Sequence, residues 1–213
     1  TSLVPIRMHK GISMFSVKVT GQSGHSSNPM LGKNALEGMH QVIGQILDHS
    51  EEIRQGRTNS LFDVPGPTLN MGSIHGGDNP NRICGEVEMQ FDLRVTPDSD
   101  FEAIKDELEN RVLNVGDDLG LQVDFKTLMP SIPPFQQDSK SEIVRLSEKL
   151  TGHSASAVNF ATEAPFLQSL GMETIVMGPG SIKRAHQPNE YLELNQVQPY
   201  ISHLEACISK YCL

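Results

Sequence analysis

Residues 86–95 read Glu-Val-Glu-Met-Gln-Phe-Asp-Leu-Arg-Val, an unbroken alternation of polar and apolar side chains. A strand sends successive side chains to opposite faces, so Val87, Met89, Phe91, Leu93 and Val95 must share a core. Glu86, Glu88, Gln90, Asp92 and Arg94 are left on a polar face. Residues 14–20 repeat the pattern, with Phe15, Val17 and Val19 on the apolar side. Thr68 to Ile74, after the turn Pro65-Gly66-Pro67, is predicted as a further strand, and 121–127 as another, with Leu121, Val123 and Phe125 inward. Two helices fall between them. Asn34 with Glu37 three residues later starts the first, and Leu36, Met39, Val42, Ile43, Ile46 and Leu47 carry its stripe to about Gly56. Ser99 and Glu102 are expected to cap the second, whose stripe is Phe101, Ile104, Leu108 and Val112. The order strand, helix, strand, strand, helix, strand is the split βαβ, ferredoxin-like arrangement, so residues 8–128 are expected to form an α+β, two-layer domain.

The pattern changes after the proline-rich stretch Pro130 to Pro134. Ser139 and Glu142 are expected to cap a helix carrying Ile143, Leu146 and Leu150. A short strand near Ala155–Val158, a helix from about Thr162 to Leu170 and a buried strand Thr174–Met177 should follow. A last helix from about Val197 turns Ile201, Leu204 and Ile208 inward. Two strands are too few for a doubly wound sheet, so 129–213 is expected to be an incomplete α/β segment. The chain opens on Thr1, which fits a piece of a longer polypeptide, with residues 1–7 a connector. A net charge of −9 argues against nucleic acid as a partner. No apolar run reaches the roughly 20 residues of a membrane helix, and no signal peptide opens the chain. Cys84, Cys207 and Cys212 form neither a disulfide framework nor a zinc ribbon, and a reducing, cytoplasmic setting is expected.

Four clusters, and Arg94 beside them, carry side chains capable of chemistry, each with a plain alternative. His25, in Gly21-Gln22-Ser23-Gly24-His25-Ser26-Ser27, is placed to donate a hydrogen bond to an oxyanion, or sits in a polar hairpin loop. Gly76-Gly77-Asp78-Asn79-Pro80-Asn81-Arg82-Ile83 offers the carboxamides of Asn79 and Asn81 to a substrate carboxylate, or is a long turn. Arg94 either clamps a carboxylate or pairs with Asp92 or Glu88 on its own face. Thr162 either presents an anion site or caps a helix. His186, in Ala185-His186-Gln187-Pro188-Asn189-Glu190-Tyr191, is a candidate metal ligand with Glu190 nearby, or an ordinary loop histidine. Histidines 9, 40, 49, 75, 153 and 203 show no ligand spacing and read as structural or solvated.

Taken in order, these segments, with Asp92-Leu93-Arg94, Thr162-Glu163-Ala164-Pro165-Phe166 and Gly178-Pro179-Gly180-Ser181, resemble the dinuclear-zinc aminoacylase and carboxypeptidase family that includes succinyl-diaminopimelate desuccinylase. The resemblance covers essentially the whole chain. It implies a lid and dimerisation domain inserted in a zinc-binding catalytic domain, with 129–213 the last part of that domain. The remaining metal ligands and the general-base carboxylate are then expected in polypeptide preceding Thr1, leaving this piece inactive alone. The resemblance further implies two zinc ions per intact subunit, with cobalt an alternative. His186 would be a metal ligand, and His25 an oxyanion donor reaching the partner subunit's site. Asn79 or Asn81, Arg94 and Thr162 would contact substrate. The implied activity is deacylation of a small N-acyl amino acid by a homodimer. Desuccinylase, dipeptidase and other aminoacylase activities are the alternatives within the class, and a non-catalytic dimerisation module the alternative outside it.

Overall fold

A computed structural model of the chain describes residues 1–56 and 58–213. In chain order the elements are β1 (Ile6–His9), β2 (Gly11–Thr20), β3 (Gly24–His25), α1 (Ala35–Arg54), β4 (Thr68–Gly76), β5 (Arg82–Ile83), β6 (Glu86–Val95), α2 (Phe101–Leu119) and β7 (Gln122–Thr127). Then come β8 (Phe135–Gln136), α3 (Glu142–Thr151), β9 (Ser156–Val158), α4 (Ala164–Ser169) and α5 (Val197–Tyr211). They group into two units: Gly11–Ser60 with Val64–Ser131, and Thr1–Lys10 with Leu61–Asp63 and Ile132–Leu213.

The first of these is the α+β layer expected from the alternation. Its sheet is antiparallel in the order β4-β6-β2-β7. Strands β2 and β6 pair without interruption from Gly11 opposite Val95 to Thr20 opposite Glu86. That register puts Phe15, Val17 and Val19 beside Phe91, Met89 and Val87, all buried. A slip of one residue would expose the whole set, which is why the pairing is fixed. The rings of Phe15, Phe91 and Phe125 cluster with centroids 5.0–6.1 Å apart. Helix α1 adds Met39, Val42 and Ile46 to this core, and α2 adds Leu108, Val112 and Val115. Gly38 lets α1 approach the sheet, since a Cβ there would lie 2.4 Å from Leu121 Cδ1.

Three local details differ from the sequence expectation. Asp100, not Ser99, caps α2: its Oδ1 accepts the Ala103 N–H at 3.1 Å, while the Ser99 hydroxyl bonds Thr96. Asp leads where a carboxylate meets the helix dipole. Leu36 and Leu47 are half exposed rather than part of the α1 stripe. The pairing of β4 with β6 shifts between Met71 and Ser73, inserting Gly72 as a bulge. Asn34 caps α1 as its spacing predicts, accepting the Leu36 N–H at 3.0 Å and donating to Glu37 at 3.1 Å.

In the other unit β1 is central, antiparallel to β8 and parallel to β9. Phe135 and Val144 are buried there. The expected buried strand Thr174–Met177 is not formed. Only Thr174 in it is buried, and Val176 makes a single bridge to Ile6. Toward the chain start Pro5 has no N–H to give, and Leu3 and Ser2, with φ of 64° and 51°, donate singly to the Gly178 and Gly180 carbonyls, so no ladder forms. Ser141 rather than Ser139 precedes α3, and Glu173 accepts the Ile143 N–H there at 3.3 Å. Ile201, Leu204 and Ile208 of α5, expected to face inward, are 39%, 43% and 52% exposed. No helix among the described residues is long and apolar enough to cross a membrane.

Candidate functional site

The His25 loop is shaped by glycines that no other residue can replace. Gln22 and Lys33 exchange backbone hydrogen bonds of 2.9 Å, closing residues 22–33 into a loop. A Cβ on Gly21 would lie 2.1 Å from the Lys33 carbonyl oxygen, and one on Gly32 2.2 Å from that of Gln22. Beyond this closure Gly24 and His25 pair with Ile83 and Arg82, so β3 and β5 bring two loops distant in sequence together. Ser26 donates its N–H to the Asn81 carbonyl at 3.1 Å and secures the junction.

His25 is exposed, and its ring state is set locally. Its Nδ1 receives the backbone N–H of Ser27 at 3.2 Å and lies 2.7 Å from the Ser27 hydroxyl. A backbone N–H can only donate, so Nδ1 is an acceptor and the neutral ring carries its proton on Nε2. An imidazole so held presents an N–H donor, the group an oxyanion requires.

Asn79 and Asn81 separate in role. Asn79 Oδ1 accepts the Asn81 N–H at 3.1 Å, an Asx turn that occupies this oxygen with the loop itself. The Asn81 carboxamide has no partner among the described residues. Asn81 and His25 line one shallow cleft of about 320 Å³ with Ser23, Gly24 and Arg82, whose guanidinium is paired with Asp78. Arg94 lies elsewhere. It pairs with Asp92, on its own strand face, at 3.1 Å. The loop is tied to the opposite end of β6, where Gly85 accepts the Gly21 N–H. At roughly 3.3 Å per residue, Glu86 to Arg94 spans about 26 Å, so one protomer does not combine Arg94 with His25.

In the other unit Thr162 Oγ1 accepts the Ala164 N–H at 3.2 Å, a hydroxyl turn just ahead of α4, whose cap position is Glu163. Its own N–H goes to Nε2 of His9 at 3.3 Å, a contact between residues 153 apart that no local pattern around His9 signals. His186 is exposed on the turn after Ile182–Arg184 and has φ of 61°. Left-handed backbone in a non-glycine residue is costly, by about 1–3 kcal/mol, and such positions concentrate at functional sites. Asn189 has the same conformation. Glu190 makes no hydrogen bond to His186. It lines an adjacent cavity of about 510 Å³ with Ser181, Arg184 and Tyr191, where the guanidinium stacks 4.8 Å over the ring. The described residues gather no three His, Cys, Asp or Glu side chains able to hold one metal ion. His186 is thus a single candidate ligand and not a site.

A two-layer α+β unit with an exposed histidine on a glycine-closed loop is the arrangement that the relatives bear on. The chain belongs to the M20 family of peptidase dimerisation domains, which residues 7–118 match. Over 212 residues, all of this chain, it is 40% identical to acetylornithine deacetylase of Aliivibrio salmonicida, 41% to that of Aliivibrio fischeri and 39% to that of Pasteurella multocida. It spans 55–56% of the length of these relatives. Among solved structures, 95% of the chain superposes on 52% of a tripeptidase from Staphylococcus aureus, with a TM-score of 0.76 at 17% identity. Aminopeptidase PepT from Bacillus cereus gives 0.72 at 17% identity, with 96% of this chain and 52% of that one covered. These likenesses confirm the mixed α+β fold.

Proposed function

We propose that the whole protein is a metal-dependent amide hydrolase that removes the acetyl group from N2-acetyl-L-ornithine, giving ornithine and acetate in arginine biosynthesis. The deacetylases similar to it along its entire length support the substrate. The fixed state of His25 supports the chemistry and is the observation that carries the reading. Attack on an amide carbonyl builds negative charge on oxygen, and the outward Nε2–H of His25 is a ready donor to it. Asn81, in the same cleft, would hold the carboxylate end of the substrate, with Asn79 supporting it through the turn. Arg94 and Thr162 are further substrate contacts in this reading. His186 is assigned as this chain's ligand to zinc, with cobalt a possible substitute, and the other ligands belong to polypeptide outside these 213 residues. Residues 129–213 are read as part of the catalytic domain, which gives the exposed side of α5 something to pack against. On this reading the 213 residues alone are inactive.

The protein is further proposed to act as a cytoplasmic homodimer, each lid lending His25 to its partner's site. Strand β4 is a sheet edge, and Met71 and Ile74 on it are 36% and 48% exposed. An edge with apolar side chains favours pairing with another copy. The testing experiment is an assay of the full-length protein on N2-acetylornithine, succinyl-diaminopimelate and dipeptides. Preferred release of acetate from acetylornithine supports the assignment, and preference for either other substrate overturns it.

A further inference from the structure

His9 ends β1 with no exposed surface, its ring 5.3 Å from that of Phe135. Its Nδ1 lies 2.9 Å from the Lys10 carbonyl oxygen and its Nε2 3.3 Å from the Thr162 nitrogen. A carbonyl only accepts and an amide N–H only donates. The two contacts therefore select one state: a neutral ring protonated at Nδ1, with Nε2 accepting from Thr162. On its other side Thr162 is tied to Ala164 through its hydroxyl. The turn that opens α4 is thus held from behind by an imidazole and from ahead by the Thr162 hydroxyl.

We propose that His9 is a positioning residue, which through the backbone of Thr162 sets where that residue meets the substrate. The inference rests on the reading of Thr162 as a substrate contact. Glu163, one residue beyond Thr162, is the charged group that acts on the ring, while the neighbouring Lys10 has its ammonium 6.0 Å from the centroid of the Phe62 ring. The Glu163 carboxylate favours the protonated ring, but burial opposes it more strongly and holds His9 below the usual histidine range. Protonation would set two donors, Nε2–H and the Thr162 N–H, against each other.

The test compares His9→Gln, His9→Asn and His9→Phe in the full-length protein. Gln offers an acceptor near the Nε2 position, Asn offers only a donor toward Lys10, and Phe keeps the ring against Phe135. Gln should keep KM for N2-acetylornithine near the original value. Asn and Phe should raise it about tenfold, with kcat less affected. An unchanged KM in His9→Phe overturns the proposal, because packing alone would then suffice. A second measurement on the unaltered protein stands apart from turnover: ring ¹⁵N shifts and exchange of the Thr162 amide. A proton on Nδ1 with a slowly exchanging amide supports the positioning contact, and a proton on Nε2 overturns it. Absence of acyl-amino-acid hydrolysis would defeat the proposed function, while the ring state would still decide the contact.

Discussion

Ser27 gives its backbone N–H to Nδ1 of His25 at 3.2 Å, and two residues of one loop thereby decide which nitrogen of the ring faces outward as a donor. The arrangement needs no buried partner. It is set by a turn whose closure, at Gln22 and Lys33, depends on glycine at positions 21 and 32.

His25→Ala in the full-length protein should therefore lower kcat by about 10²–10³, the usual loss for one oxyanion donor, and change KM little. Ser27→Ala keeps the backbone N–H and should cost less than about tenfold. Steady-state kinetics on acetylornithine checks both, and unchanged kcat in His25→Ala removes the residue from the mechanism.

The lid core makes a second expectation. Leu108 is fully buried among residues of α1, α2 and the sheet. Leu108→Ala should lower unfolding stability by about 2–5 kcal/mol, read from urea denaturation with little change in m.

Acid should weaken the fold in a defined window. Burial, aided for His49 by the Arg111 guanidinium, lowers the basicity of His9 and His49 in the folded state. Each site is then stabilising in full above about pH 6.5, the ordinary histidine value, and loses that contribution as pH falls below it toward the folded values. Glu52, held low by its hydrogen bonds from Arg111, acts in a separate window, losing its contribution below about pH 4.5. Thermal unfolding at stepped pH should show the histidine loss first. His49→Gln, which keeps a donor for the Ile104 carbonyl, should flatten it.

The exposed side of β4 gives a fourth expectation. Ile74→Lys or Met71→Lys should shift the protein from dimer to monomer in sedimentation, without loss of the lid fold. A dimer of unchanged stability would place the interface elsewhere.

The lid was legible because its strands alternate over seven to ten residues and its helices begin at Asn34 and near Asp100. Long periodic segments carry a strong signal of which face is buried. Thr174–Met177 misled because a short run with three apolar residues cannot reveal that its neighbour, Ser2 to Ile6, offers single hydrogen bonds and one bridge rather than a ladder. The Gly72 bulge is marked in the sequence only by the step from Met71 to Ile74, which breaks the period of two at a glycine. At the site, His25 and Asn81 were legible as residues, but only β3 pairing with β5 shows that they share a cleft. Arg94 was grouped with them by order along the chain, and the length of β6 separates them. His9 was read as structural, and its link to Thr162, 153 residues on, is a tertiary fact that no local pattern encodes.

The central claim is that His25 of one subunit serves a metal centre holding His186 of the other. Mixing His25→Ala and His186→Ala subunits of the full-length protein, each nearly inactive alone, tests it directly. If the two act across the dimer, every mixed dimer contains one intact site, and a statistical mixture should regain about a quarter of the unaltered activity. If subunits exchange freely and the mixture stays as inactive as its parents, His25 does not act in trans and the account is contradicted.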